Sequence, residues 1–360
     1  MSYIFKEKIK YEQYSNFLKQ QKFLSFMQEE IWAKAKNIDN HKVVAVLEND
    51  EVCALAHIII KKEKNKKKFF IPNGYLLDFN NKELLEFMTK CIKKLAHMYG
   101  AYVVDIYPNM DIDDPLYSKI HTNLLNLEYK YTDEYFDRTT NILIPMKKKN
   151  KKISKAELKR KYENNEFYLK RGIEFEITND KEDIKRLEYL VNNDYFDFDL
   201  IGGLITNFQD RIHMIFAKLD LVYYKHFLEE NTDNTKELNK IKELLTISDT
   251  IDIGCALIIE PFNSNDSICE FLYNTEKESF ENLDITNGLI YEVMKICNKN
   301  NYSYIKISNI GLNTSKLIER YNGFEMNYVG KYSLIINKIT YFFNKPLGYK
   351  KSRKRKDHQR

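Results

Sequence analysis

The residues able to do chemistry are thinly spread in this chain, and their spacing excludes more than it grants. The five cysteines, Cys53, Cys91, Cys255, Cys269 and Cys297, are odd in number and far apart, with no Cys-x-x-Cys or Cys/His cluster. Neither a zinc site nor a disulfide framework follows from such spacing, so no metal is expected and the thiols read as reduced and mostly buried. No Ser/His/Asp or Cys/His arrangement is present to carry a covalent intermediate. An acetyl-CoA site wants a pyrophosphate cradle of the Arg/Gln-x-x-Gly-x-Gly/Ala type before a helix. The chain has 11 glycines and no such run. No cofactor is expected.

Two blocks stand out instead. Residues 26–36, FMQEEIWAKAK, place the only tryptophan, Trp32, on a short amphipathic helix beside Lys34 and Lys36. Residues 70–87, FIPNGYLLDFNNKELLEF, read as a strand end, a Pro-Asn-Gly turn holding Gly74, an apolar strand and a capped helix start. Positive charge gathers in KKEKNKKK at 61–68, in the run that begins at 147 and in the tail KKSRKRKDHQR at 350–360. The first two read as solvated loops. The tail has seven Lys or Arg among its eleven residues and no apolar content, so it is expected to be disordered. Such a segment gains about 1 kcal/mol per charge at an anionic membrane and also binds RNA phosphates.

The positioning elements follow from pattern. With 360 residues and 43% hydrophobic content the chain can bury a sizeable core, as two domains. A net charge of +5 carries no chain-wide nucleic-acid signature. The N-terminus lacks a signal-peptide pattern and no apolar run spans a membrane, so a soluble cytoplasmic protein is expected. Residues 10–36 look helical. KVVAVL at 42–47 and VCALAHIII at 52–60 read as a hairpin across ENDE. Asn80 or Asn81 caps a helix over 82–98, AYVVDIYP at 101–108 reads as a strand, 115–127 as a helix and 140–146 as a strand. This order is that of an acetyltransferase-like unit. It recurs as helix 155–170, strand 173–177, helix 181–193, strands at 212–221, 254–260 and 268–273, helix 285–299 and strand 302–308. A final strand is expected over 328–337, and 225–246 reads as two short helical pieces around an Asn-Thr-Asp-Asn turn.

Read in order, these blocks resemble the FemABX family of peptidoglycan interpeptide-bridge aminoacyltransferases. The opening pair is joined by AYVVDIYPNMDID at 101–113, AELKRKYENNEFYLKRGIEFEI at 156–177, IFAKLDL at 215–221, the stretch GCALIIEPFNSNDSICEFLY from 254, and NGFEMNYVGKYSLIINK at 322–338. The resemblance covers nearly the whole chain. It implies an α/β fold with mixed sheets, made of two tandem acetyltransferase-like (GNAT-like) subdomains. The first would comprise 1–147 plus 325–345 and the second 148–324. Residues 225–246 form a short helical hairpin in place of a long coiled-coil arm, and 346–360 a basic tail.

The family also implies a reaction: an amino acid passes from aminoacyl-tRNA to a stem-peptide amine of a peptidoglycan precursor, lipid-linked or nucleotide-linked. Aminolysis of an activated ester needs a neutral amine, an exit for its proton and donors for the oxyanion. The family's Trp-Ala-x-Val-Lys segment is met by Trp32 to Lys36, which makes Lys36 the expected precursor-phosphate contact. Gly74, Tyr102, Tyr107 and Arg211 complete the expected substrate-binding set. Where the family has Asp-Pro this chain has Tyr107-Pro108, and Asp105, two residues back on the same strand face, is expected to handle the proton. The family's Phe-Lys-x-x-Phe/Trp segment is met by Arg320 and Tyr321, so its lysine is missing. Arg320, or Lys316 one turn earlier, would take over oxyanion stabilisation, with Tyr321 as an uncharged donor. The partners implied are aminoacyl-tRNA, the precursor, and the inner face of the cell membrane through the tail. The alternative is a diverged relative that binds a cell-wall precursor or partner protein without transfer.

Overall fold

The computed structural model describes residues 2–63, 65–135, 140–148, 151–152, 165–191, 197–232, 234–262, 268–308 and 314–344. The expected tail, most of the basic helix at 155–170 and residues 192–196 lie outside these. Sixteen strands run in chain order: β1 Tyr3–Lys6, β2 His41–Glu48, β3 Glu51–Glu63, β4 Lys66–Ile71, β5 Ala101–Ile106, β6 Tyr129–Thr132, β7 Thr140–Pro145, β8 Lys147–Lys148, β9 Lys151–Lys152, β10 Ile173–Thr178, β11 Ile212–Asp220, β12 Thr250–Ile259, β13 Ile268–Glu276, β14 Tyr304–Ser308, β15 Phe324–Asn327 and β16 Lys331–Ile335. They build two seven-stranded mixed sheets and the small β8–β9 ribbon.

Local chemistry explains the elements read correctly from sequence. The β2–β3 hairpin turns on Asn49 and Asp50, both at positive φ (51° and 65°), the backbone that a two-residue hairpin turn requires. The helix Lys82–Tyr99 starts where the Asn81 side chain accepts from the Leu84 amide at 3.0 Å, and ends at Gly100 with φ +68°. Its Leu84, Leu85, Met88, Ile92 and Leu95 are buried against the first sheet.

The first sheet has the order β1-β2-β3-β4-β5-β16-β6 and the second β10-β11-β12-β13-β14-β7-β15. Each is antiparallel over its first four strands, parallel between the fourth and fifth, and antiparallel again to the sixth. The sixth strand is exchanged. β16 comes from the C-terminal end into the first sheet, while β7, expected in the first unit, pairs with β14 and β15 in the second. Phe324–Asn327 likewise belongs to the second sheet, although 325–345 was assigned to the first. The two lobes are therefore tied by crossing strands as well as by packing.

A shared apolar layer lies between them. Trp32, Ile59 and Phe70 from the first lobe cluster with Leu204, Phe208, Phe216 and Leu257 from the second. The helix Phe198–Phe208, not foreseen in the sequence, packs on the helix Glu30–Ala35 so closely that a Cβ on Gly203 would lie 2.0 Å from the Ala35 carbonyl oxygen. Only glycine permits that approach. The helices Leu221–Asn231 and Thr235–Leu244 form the expected short hairpin, which buries Tyr224, Leu228 and Ile241 in the second-lobe core.

Candidate active site at the lobe junction

The expected continuous helix over 10–36 is broken. It divides into Tyr11–Gln20, a 3-10 turn Phe26–Gln28 and Glu30–Ala35, with Phe23 at φ +54° between the first two. Polar chemistry fixes the break. The Ser25 amide donates to the Gln28 side chain at 3.1 Å, and the Ser25 hydroxyl accepts from the Met27 amide, forming a capping box. The Gln28 amide group donates to the Asn73 carbonyl at 2.6 Å, and Asn73 donates to the Ser25 hydroxyl at 2.9 Å. The Pro-Asn-Gly turn thus clamps the break. Gly74, at φ +74°, is pressed against Pro108, where an added Cβ would sit 2.8 Å from its Cα.

This clamped segment faces a charged wall of the second lobe. In β14 the side chains alternate: Ile305 and Ile307 enter the second-lobe core, so Tyr304, Lys306 and Ser308 point to the other face. Lys306 lies directly across from Glu270 of β13 and donates to its carboxylate at 2.9 Å. The same carboxylate accepts from the Phe26 amide at 3.2 Å, and Tyr304 meets the Phe23 ring at 5.6 Å. Lys306 also sits 5.7 Å from the Tyr328 ring centre. A half-buried ammonium, paired with a buried carboxylate, thus stands beside the segment that bridges the lobes.

Beside it, Arg211 grips buried Glu29 with two hydrogen bonds of 2.7 Å and donates twice more to the Glu260 carbonyl, at 3.2 and 3.0 Å. Burial pushes the Glu29 carboxyl up and Arg211 pulls it back. Arg211 is thus a clamp between lobes, with four of its donor contacts already made within the protein. The Glu260 carboxylate in turn accepts from Asn300 and Tyr302 and contacts His213 at 2.6 Å.

The first-lobe wall is basic. The Lys36 ammonium lies 5.5 Å from the Trp32 ring centre, and Lys61 lies 3.6 Å from that of Phe70, which also meets the Tyr107 ring. Burial lowers the pKa of Lys61, and the nearby charges of Lys68 and Lys36 lower it further. Three ammonium groups therefore converge. Lys68 pairs with Glu63 at 2.5 Å and stands 4.0 Å from Asp105, which accepts from the Ser333 hydroxyl at 2.6 Å. Burial raises the Asp105 pKa. Tyr102 donates to Glu63 at 3.3 Å and is otherwise buried. Beneath Trp32, the buried His57 ring approaches the Met27 carbonyl and His41. Burial, with His41 beside it, lowers the His57 pKa to about 4.

The structure therefore brings Trp32, Lys36, Tyr107, Gly74 and Arg211 to the junction and sets Tyr102 and Asp105 in the adjoining polar cluster. It does not bring Lys316, Arg320 and Tyr321 there. Tyr321 is buried in the second-lobe core and donates to Asn287 at 2.6 Å, Arg320 bonds Asp284 at 3.0 Å, and Lys316 is exposed on the same helix. That helix lies on the core side of β14, opposite the face that carries Lys306. Lys306 and Glu270 were missed; the signal was a charged residue in the middle of an otherwise apolar alternating strand, YIKIS.

Comparison with known proteins agrees with this architecture. The model of the FemAB family matches residues 9–133. A lipid II:glycine glycyltransferase of Staphylococcus haemolyticus is 25% identical over 233 residues, 61% of this chain and 51% of that one. Its namesake in Staphylococcus epidermidis is 23% identical over 179 residues, 47% of this chain and 42% of the other. The chain thus spans about half the length, or less, of these curated relatives. The crystal structure of FemX superposes with a TM-score of 0.73 at 17% identity, covering 96% of this chain and 100% of that one, and shares its fold. The matches support the FemABX family.

Proposed function

We propose that this FemABX-family chain is an aminoacyltransferase that moves an amino acid from aminoacyl-tRNA to the stem-peptide amine of a peptidoglycan precursor. The observation that carries the reading is that each lobe brings cations toward the junction: Lys36, Lys61 and Lys68 close enough to lower the Lys61 pKa in the first lobe, and half-buried Lys306, paired with the carboxylate that holds the Phe26 amide, in the second. The first-lobe cations suit the phosphates that link the precursor to its lipid or nucleotide. In the second lobe, Lys306 stabilises the oxyanion formed when the amine attacks the ester carbonyl. The carbon–nitrogen bond forms, the carbon–oxygen bond to the tRNA ribose breaks, and the proton lost by the amine ends on the departing ribose oxygen. Asp105, whose raised pKa fits a proton acceptor, is the proposed relay. The relatives' name, lipid II:glycine glycyltransferase, supports the acceptor class and a glycyl-like donor.

A second reading, binding of the precursor without transfer, is favoured by one observation. Glu270 already neutralises Lys306, and Arg211 is held by Glu29. A panel of charged tRNAs with radiolabelled amino acids, incubated with lysine-containing precursor, separates the two. Label that reaches the precursor only from charged tRNA supports transfer. Tight precursor binding with no label from any tRNA supports the second reading.

A further inference from the structure

The C-terminal helix Lys338–Asn344 presents an apolar stripe to solvent. Ile339, Phe342 and Phe343 are 73%, 76% and 77% exposed and stand at i, i+3 and i+4, one contiguous face. The opposite face is anchored: Tyr341 packs toward Tyr102 at 6.5 Å between ring centres, and the Tyr341 amide donates to the Asn337 carbonyl. Tyr102 in turn donates to Glu63, at the end of the β3–β4 hairpin. That hairpin carries Lys62, Lys66 and Lys67, with Lys62 and Lys66 exposed. Beyond the helix the sequence adds seven Lys or Arg within residues 350–360. Two exposed phenylalanines and an isoleucine thus stand on a helix whose other face packs toward a cationic hairpin, and the sequence continues into a polybasic run.

We propose that this surface docks the protein on an anionic lipid bilayer, with Ile339, Phe342 and Phe343 entering the headgroup boundary and the lysines of the β3–β4 hairpin meeting the lipid phosphates. Apolar insertion and polybasic attraction are the two signals that stable interfacial binding needs together. Nucleic acid would account for the charge and leave the exposed isoleucine without a role, so lipid is the better fit. No helix among the described residues is long and apolar enough to cross a membrane, so this would be attachment from one side. The placement has a consequence for the proposed reaction, and this clause alone rests on that reading: Tyr102 borders the Asp105–Lys68 cluster, so docking would bring the acceptor site to the bilayer face where a lipid-linked precursor resides.

The full-length protein is to be sedimented with phosphatidylcholine vesicles, with and without phosphatidylglycerol, at low and high salt. The proposal expects strong binding only with phosphatidylglycerol. It expects Phe342→Ser/Phe343→Ser to weaken that binding at both salt levels, and Lys62→Gln/Lys66→Gln/Lys67→Gln to weaken it chiefly at low salt, each by roughly tenfold or more. Circular dichroism of the variants should be unchanged, because these side chains are exposed. Equal binding to neutral vesicles, or unaltered binding by the phenylalanine variant, overturns the proposal. So does a phenylalanine variant that changes only the oligomeric state. The assay contains no tRNA donor and no transfer step. A protein that transfers but ignores vesicles sinks this inference alone, and one that binds vesicles without transferring leaves it standing.

Discussion

β5 and β14 occupy the same place in their sheets and carry opposite charges. Each is the fifth strand of seven, parallel to the fourth and antiparallel to a sixth strand exchanged from the other lobe's stretch of chain. On β5, buried Asp105 faces the neutral hydroxyl of Ser333. On β14, Lys306 faces the carboxylate of Glu270. With the Lys68 ammonium only at 4.0 Å, burial still dominates and keeps the Asp105 pKa raised, whereas Lys306 donates to its carboxylate at 2.9 Å. One scaffold used twice thus holds a buried carboxyl on one fifth strand and a paired ammonium on the other.

The largest test of this contrast is Lys306→Met. Transfer should fall about 10²–10³-fold, and unpaired Glu270 should cost about 3–5 kcal/mol of stability. The double variant Lys306→Met/Glu270→Gln should recover stability in a urea titration and leave transfer lost. Recovery of both would reduce Lys306 to a structural ion pair. Next, Arg211→Ala should destabilise the fold by about 3 kcal/mol, because Glu29 is left buried and unpaired between the lobes. A loss below about 1 kcal/mol would show that the clamp contributes no more than a surface pair.

The pH dependence has a definite sign. His57 titrates near 4 in the fold against 6.5 unfolded, so the unfolded chain takes up its proton first. Stability should drop as pH falls from 6.5 toward 4, by up to about 3 kcal/mol from this group. His57→Gln should flatten that part of the unfolding-versus-pH curve. A smaller effect comes from Lys36→Ala, expected to weaken precursor binding about tenfold by calorimetry with an unchanged melting temperature. The smallest concerns Asp105, whose pKa is raised above 3.8 in the fold. Its ionised form is penalised at neutral pH, and the penalty fades as pH falls through the raised value. Asp105→Asn should therefore gain stability at pH 7, and the gain should fade as pH falls through the raised value.

Local signals in the sequence were readable and distant pairings were not. The Asn49-Asp50 turn, the Asn81 cap and the alternation in β14 are written within a few residues of where they act. The exchange of β7 and β16 between sheets is set by pairings as distant as Pro145 with Tyr304 and Asp105 with Ser333, which no periodicity records. The break at Phe23 was hidden because its apolar neighbours keep a helical rhythm while Ser25, Gln28 and Asn73 impose the turn. The block that holds Trp32 and Lys36 lies at the junction, as its sequence suggested. Lys306 is marked only by the face it occupies, and Arg320 and Tyr321 lie away from the junction because their helix covers the other side of that strand.

The most direct test is the intact mass of the acceptor stem peptide after incubation with protein, precursor and aminoacyl-tRNA, with tandem mass spectrometry to locate any addition. The account predicts one or more aminoacyl increments on the peptide's side-chain amine, dependent on charged tRNA and absent with Lys306→Met/Glu270→Gln. A stem peptide that is bound yet unchanged in mass with every charged tRNA would contradict it.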